Sequence, residues 1–254
     1  MSKDGCTALY LRDSNSTFLS QNWDWQEEQQ ENLINLHITL PSKVAINMIT
    51  EAGIIGKIGL NSNGVGVCLN AIRAPGVDFE RLPCHLALRS CLESEPAAQA
   101  VAMLHRSGVA SACHILVGDE REAVGLECTS VDIVELPTKD VLTHTNHSIE
   151  THHGVEDKMA LKDSPARLER INQLVRSEIA GDDKAMTRAE TIRKLLADED
   201  GFPTSICRAK TADSSVATLF SIIMDLKGRT AEVCLGRPCR EDVERLHLAP
   251  RMFL

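Results

Sequence analysis

The order of the periodic segments limits the fold more than any other feature. Alternating apolar runs come first, at residues 7–12 and 17–22 around a polar Asp13-Ser14-Asn15-Ser16 turn. Residues 33–40 alternate at Leu36, Ile38 and Leu40, and Pro41-Ser42 separates them from a run at 44–50. A strand at 65–70 follows the Asn61-Ser62-Asn63-Gly64 turn. Two helices are expected next, at 85–93 and 97–106, the second opened by Ser94 with Pro96 in its first turn. Four short β runs follow, at 113–117, 123–128, 130–135 and 141–145. The polar stretch 147–162 reads as a surface loop. A helix begins at Ser164-Pro165 with Leu168, Ile171, Leu174 and Val175 on one face, and another at Thr187, where Glu190 completes a capping box. Strands at 217–225 and 230–235, turned by Lys227-Gly228-Arg229, close the pattern. Strands never alternate one for one with helices. The expectation is therefore an α+β fold of antiparallel sheets with helices outside them, not a βαβ array.

Composition bounds the function. A chain of 254 residues, 43% of them hydrophobic, can bury one large core, so 1–254 is expected to form a single domain. A formal net charge of −9 argues against nucleic acid or an anionic membrane as partner. No apolar run approaches the roughly 20 residues of a membrane span, and Met-Ser-Lys-Asp-Gly is not a secretory signal. The nine cysteines are scattered, odd in number and free of Cys-x-x-Cys spacing, which argues against a disulfide framework or a zinc ribbon. Most read as small core residues in a reducing, cytoplasmic compartment.

Gly5-Cys6 carries the chemistry. Cutting that bond makes Cys6 an N-terminus with a thiol and an amine on one residue. An α-amine with a pKa of about 7.7–8.0 can take the proton of a thiol near 8.5. Gly5 lacks a Cβ, which lets the thiol reach the preceding carbonyl. Taken alone, the dipeptide reads more readily as a buried cysteine after a turn glycine.

Further segments change that balance. Asp4-Gly5-Cys6-Thr7, Gln21-Asn22-Trp23-Asp24, the block from Ile49 to Lys57, and Gly59-Leu60-Asn61-Ser62 leading into Gly64-Val65 are joined by His144-Thr145-Asn146-His147, Ala197-Asp198-Glu199-Asp200, Ser205-Ile206-Cys207-Arg208-Ala209 and Leu235-Gly236-Arg237-Pro238. In this order they resemble the acyl-coenzyme A:6-aminopenicillanic acid acyltransferase (isopenicillin N acyltransferase) family of N-terminal-nucleophile (Ntn) hydrolases. The resemblance implies an αββα four-layer sandwich and self-cleavage at Gly5-Cys6, with residues 1–5 removed. It implies Cys6 as nucleophile, Asp24 as anchor of its α-ammonium, Arg208 as thiolate stabiliser and Asn146 as oxyanion donor. Asn70 resembles the oxyanion asparagine of related bile-salt hydrolases. Ser205 reads equally as a second contact near the site or as a turn serine. The acidic run Asp198-Glu199-Asp200 reads as a solvated face or, since it lies in a resembling block, as a local structural element.

The implied activity is cysteine-dependent N-acyl transfer in secondary metabolism, with a small-molecule acyl donor, a small amine as acceptor, acyl-CoA as co-substrate and no cofactor. A plain amidohydrolase and a truncated inactive paralogue stay open beside it. Family precursors carry a long segment before the cleavage site; here only Met1–Gly5 precede Cys6, so either the reading frame is truncated, or a separate small subunit supplies that part as a partner, or a reduced version exists. The ending Arg251-Met252-Phe253-Leu254 is not a peroxisomal tripeptide. His144, His147, His152 and His153 lack the cysteine or glutamate spacing of a metal site, and none is expected. The glycines between 53 and 66 read as turns and close packing, because no Gly-Lys-Ser/Thr follows them.

Overall fold

A computed structural model describes residues 5–136, 138–155, 162–180 and 186–251. The strands are β1 (Thr7–Arg12), β2 (Thr17–Gln26), β3 (Leu33–Ile38), β4 (Ile46–Glu51), β5 (Ile58–Asn61), β6 (Gly66–Ala71), β7 (Cys113–Gly118), β8 (Ala123–Cys128), β9 (Ile133–Leu136), β10 (Val141–His144), β11 (Val216–Asp225), β12 (Thr230–Leu235) and β13 (Glu244–Leu248). The helices are α1 (Cys84–Leu92), α2 (Ala97–Ser107), α3 (Ser164–Ala180) and α4 (Arg188–Leu196). They build a six-stranded sheet in the order β10-β1-β2-β11-β12-β13 and a seven-stranded sheet in the order β3-β4-β5-β6-β7-β8-β9. Neighbouring strands in both sheets run antiparallel. The sheets face each other through β1, β2 and β6, α1 and α2 cover the second sheet, and α3 and α4 cover the first. This is the expected αββα sandwich.

Strand alternation explains how one strand serves two layers. On β1, Ala8 and Tyr10 enter the inter-sheet core with Leu19, Met48, Leu60 and Phe220. Leu9 and Leu11 point the other way and pack with Ile171, Val175, Ile192 and Leu195 beneath α3 and α4. Both faces of β1 and β2 are therefore buried, as is usual where a sheet is covered on both sides. Polar residues on β2 are paired across layers. Gln21 accepts from Leu69 N at 3.0 Å in the second sheet, and Asn22 Nδ2 donates to Leu196 O and Ile206 O at 2.8 and 2.9 Å.

Several expectations need correction. β5 is a further strand, and its Gly59 is one of the close-packing glycines, where a Cβ would strike the Asn47 carbonyl. β13 and a 3₁₀ turn at Glu27–Asn32 also carry too little alternation to stand out. Ser94 does not open α2: its hydroxyl donates to Ser90 O at 2.9 Å, at the end of α1. The first N–H of α2, from Ala97, goes instead to Asp119 Oδ2 at 2.9 Å, a cap from the distant β7–β8 turn. The capping box at Thr187 and Glu190 is present as expected. The loop 147–162 is surface in part only. Its described residues 147–155 fold inward at Ile149, Glu150 and the buried His152; 156–161 lie outside the described residues. Among the described residues no helix is long and apolar enough to cross a membrane.

Candidate active site

Cys6 lies one residue before β1 and is fully buried in the inter-sheet core. The backbone carbonyl of Asp24 receives the chain just before it: Gly5 N–H donates to it at 3.4 Å and the Cys6 thiol at 3.9 Å. Gly5 is required for a second reason beyond access to its carbonyl. A Cβ there would sit 2.5 Å from Arg208 Nε and 2.9 Å from Cζ, so the guanidinium is packed against the bare glycine backbone.

A break in strand register places Asp24. β2 and β11 pair in step until Thr218 and Phe220, where Leu219 is the extra residue of a bulge. Gly236 N takes up the Leu219 carbonyl at 2.7 Å. Thr218 then donates its hydroxyl to Asp24 Oδ1 at 2.7 Å and accepts Arg208 N–H at 3.0 Å. The other carboxyl oxygen, Asp24 Oδ2, faces Arg208 Nε at 3.7 Å and has no hydrogen-bond partner. Burial pushes the Asp24 carboxyl up, against the opposing pull of Arg208 and Arg167, to about 7.

Two arginines and a second carboxylate complete the ring. Arg208 pairs with Asp163, whose Oδ2 also accepts Arg167 Nε at 2.9 Å. Arg167 is 2% exposed and spans the site. It donates to Cys6 O at 2.7 Å, Thr7 Oγ1 at 3.2 Å and Asn146 Oδ1 at 3.0 Å. Asn146 in turn donates to Ala71 O at 3.1 Å, and its own N–H goes to Ser164 Oγ at 2.7 Å. Asn70 lies buried on the facing sheet, with Nδ2 3.5 Å from His144 O. The structure thus gathers Gly5, Cys6, Asp24 and Arg208 through direct contacts, and Asn146 through Arg167. Asn70 joins them through His144, which pairs with Ala8 on β1. Ser205 is buried and donates to Cys207 O at 2.8 Å, holding the turn that delivers Arg208. Asp198 has a similar job: it accepts Arg170 at 2.7 and 3.0 Å and its carbonyl accepts Cys207 N–H.

Three residues of the site carried no separate signal in the sequence. Arg167 and Asp163 look like the other charges around the start of α3, such as Lys162 and Arg170. The i,i+4 spacing of Asp163 and Arg167 is common on solvated helices. Lys57 sat inside a resembling block but was not singled out. It is 3% exposed, pairs with Glu51 at 2.8 Å and lies 3.8 Å from the Trp23 ring centre. Burial lowers its pKa, with Glu51 and the Cys6 thiol acting in the opposite sense. Arg208 is engaged by Asp24 and Asp163, and Lys57 by Glu51. Beside Lys57 opens a cavity of about 460 Å³ lined by Trp23, Trp25, Ile54, Lys57, Leu69 and Ala71. Its walls are mainly apolar, and Ala71 links it to Asn146.

Comparison with known proteins bears on the fold and the family. The sequence model for acyl-coenzyme A:6-aminopenicillanic acid acyl-transferase matches residues 11–240. The 40 kDa form of the acyl-coenzyme A:6-aminopenicillanic-acid-acyltransferase of Emericella nidulans is 41% identical over 245 residues, 94% of this chain and 67% of that protein. Among solved structures, a Caenorhabditis elegans N-acylethanolamine-hydrolyzing acid amidase ortholog superposes with a TM-score of 0.61 at 17% identity, covering 93% of this chain and 94% of that one. A variant of the conjugated bile acid hydrolase of Clostridium perfringens gives 0.62 at 13% identity, over 98% of both chains. Penicillin V acylase from Agrobacterium tumefaciens gives 0.54 at 12% identity, over 96% of this chain and 86% of that one. The structures share the sandwich and the sequence match supplies the lineage: this chain belongs to the acyl-coenzyme A:6-aminopenicillanic acid acyl-transferase family, enzymes of the N-terminal-nucleophile type.

Proposed function

We propose that this chain is a cysteine-dependent N-acyltransferase that activates itself by cleavage at Gly5-Cys6. One observation carries the reading. The Gly5-Cys6 peptide is buried where Asp24, Arg167 and Arg208 converge, beside a carboxyl oxygen with no hydrogen-bond partner. In the first reaction the Cys6 thiol attacks the Gly5 carbonyl. The C–S bond forms, the C–N bond breaks, and the nitrogen takes up a proton as the α-amine. Water then hydrolyses the thioester, releasing residues 1–5 and restoring the thiol. The new α-ammonium supplies the missing partner of Asp24 Oδ2, which fixes the amine beside the sulfur.

In turnover the thiolate attacks an acyl-CoA or amide carbonyl and holds the acyl group as a thioester while the CoA thiol or amine leaves. Asn146 and Asn70 donate to the tetrahedral oxyanion, and Lys57 and Arg208 favour the thiolate by charge. The apolar cavity beside Lys57 takes the acyl group, and a small amine attacks to form the amide. No cofactor is required beyond acyl-CoA as co-substrate. The setting is secondary metabolism in the cytoplasm.

The second reading replaces the amine by water. It is favoured by fold neighbours that are named as an amidase, a bile acid hydrolase and a penicillin acylase. One experiment separates the two. The purified chain is mixed with an acyl-CoA and a panel of small amines, with and without the upstream segment of a family member, and amide is quantified against free acid. Intact mass reports loss of Met1–Gly5 and any acyl group held on the chain. Amide as the main product supports transfer, free acid alone supports hydrolysis, and unprocessed folded protein with neither product refutes both.

A further inference from the structure

The segment after β10 is tied to the second sheet by one buried carboxylate. Glu127, on β8, is fully buried and surrounded by N–H groups. His144 Nε2 lies at 2.8 Å, Ile149 N at 2.6 Å and Glu150 N at 3.0 Å, with His152 Nε2 at 3.4 Å. Burial pushes the Glu127 carboxyl up, but the bonds from His144, Ile149 and Glu150 outweigh it and the net shift is downward. The donors span 144–150, so Glu127 folds this segment, which contains Asn146, back onto β8. His152 is held on its other side by Asp132, 2.7 Å from Nδ1.

The same carboxylate reaches Asn70 through two rings. His144 Nδ1 lies 2.8 Å from Thr145 O, which can only accept, while Nε2 faces ionised Glu127. Both ring nitrogens therefore face acceptors. The His144 ring stacks on His114, with centroids 3.6 Å apart and planes at 12°. Burial and the adjacent His144 hold His114 neutral, leaving it one N–H. Its Nε2 has no partner and points at Gly125, where a Cβ would lie 2.9 Å away. Its Nδ1 lies 3.0 Å from Asn70 Oδ1, so this nitrogen donates. That bond orients the Asn70 amide with Oδ1 toward His114 and NH₂ toward His144 O. The flipped amide would set two acceptors against each other at 3.5 Å.

We propose that Glu127 is the positioning residue for both oxyanion asparagines, fixing Asn146 through the 144–150 segment and Asn70 through the His144–His114 stack. The inference rests on the roles given above to Asn70 and Asn146. Residues remote from the reacting atoms would then set the geometry of oxyanion donation, where small displacements are costly.

The test uses the full chain, p-nitrophenyl acetate as chromogenic acyl donor, and intact mass to express each rate per processed chain. Glu127→Gln keeps the size and removes the charge. Its kcat is expected to fall about tenfold to a hundredfold, below the loss for deleting an oxyanion donor outright. KM should change little, and alkylation of Cys6 by iodoacetamide, read at that peptide by mass, should stay within about twofold because it needs no oxyanion donor. His114→Phe removes the bond to Asn70 while keeping the stack, and should show the same split with a smaller loss. In the double variant Glu127→Gln/Asn146→Ala, the combined loss should fall well short of the product of the single losses. Wild-type kcat in Glu127→Gln, equal losses in kcat and alkylation, or a fully multiplicative double variant would each overturn the proposal. If Glu127→Gln does not fold, His114→Phe decides: an unchanged kcat refutes the link to Asn70. A processed wild-type chain without ester turnover would refute the proposed function itself, and this inference with it.

Discussion

Asp24 and Glu127 are both fully buried carboxyl groups, one in each sheet, and they are held in opposite ways. Glu127 is saturated by N–H donors and its pKa is lowered. Asp24 has one hydroxyl on Oδ1, an open Oδ2 and a guanidinium too distant to hydrogen-bond, and its pKa rises to about 7. A buried acceptor left unsatisfied costs about 1–3 kcal/mol, so the fold carries a defect at Asp24 that it avoids at Glu127. The defect lies beside the bond proposed to break. An open carboxyl oxygen suits a site awaiting an ammonium group; a saturated one suits a support. The two clusters meet at Asn146, which Arg167 grips from the Asp24 side and the Glu127 segment carries from the other.

The strongest test of this contrast removes the group that the open cluster surrounds. Cys6→Ala should abolish self-cleavage and turnover together, with the precursor mass retained. N-terminal sequencing that finds Met1 or Ser2 on fully active wild-type enzyme would dismiss the open-site interpretation. Next in size, Arg167→Met should cut kcat by about 10²-fold, since it removes the clamp on Cys6 O and Asn146 at once. An Arg167→Met variant with normal kcat would mean that the ring of charges is structural only.

The contrast is sharpest in its dependence on pH. Asp24 has an ordinary value of 3.8 and a folded value of about 7, so the folded state binds its proton more tightly. Its contribution is fully present below about 4 and is lost as pH rises through about 7. At about 1.4 kcal/mol per pH unit, the gap caps the effect at roughly 4 kcal/mol. In the uncleaved Cys6→Ala background, Asp24→Asn should therefore gain stability relative to its parent as pH goes from 4 to 8. Glu127 is shifted downward, so its contribution is present above the ordinary carboxylate range and is lost as pH falls through its lowered pKa. Glu127→Gln should lose stability relative to wild type over the rise from acid to neutral. Thermal melts of both variants across this range check the signs, and parallel curves would erase the distinction.

What could be read in advance divides along the same line. Antiparallel sheets with helices outside were legible because β1 and β2 flank a polar turn and because the helices come in pairs between strands; the family resemblance sharpened this to the sandwich. Cys6, Asp24, Asn146 and Arg208 were legible because each sits in a short block that resembles a known family. Arg167, Asp163 and Glu127 were not, since an arginine near a helix start or a glutamate in Gly-Leu-Glu-Cys has no local mark of burial. Their partners lie 161 residues away, from Arg167 to Cys6, and 17 to 23 away, from Glu127 to His144 and Glu150. The cap on α2 was missed for the same reason, because Asp119 reaches Ala97 across the fold. Contacts made by tertiary structure leave no periodicity.

The smallest expected effect supplies the control. Thr187 caps α4 by accepting Glu190 N–H, and Glu190 returns a bond to Thr187 N at 2.7 Å. Thr187→Ala should cost about 1 kcal/mol, which for a chain of this size lowers Tm by roughly 2–4 °C. α4 meets the site only at its far end, where Leu196 O accepts Asn22 Nδ2. Fraying the first turn should not travel nine residues along a helix whose Ile192, Leu195 and Leu196 are buried. Turnover per folded, processed chain is thus expected to equal wild type. A variant that loses activity in proportion to its Tm would show that general loosening reaches the site. The losses expected from Arg167→Met and Glu127→Gln would then need no positioned oxyanion donors to explain them.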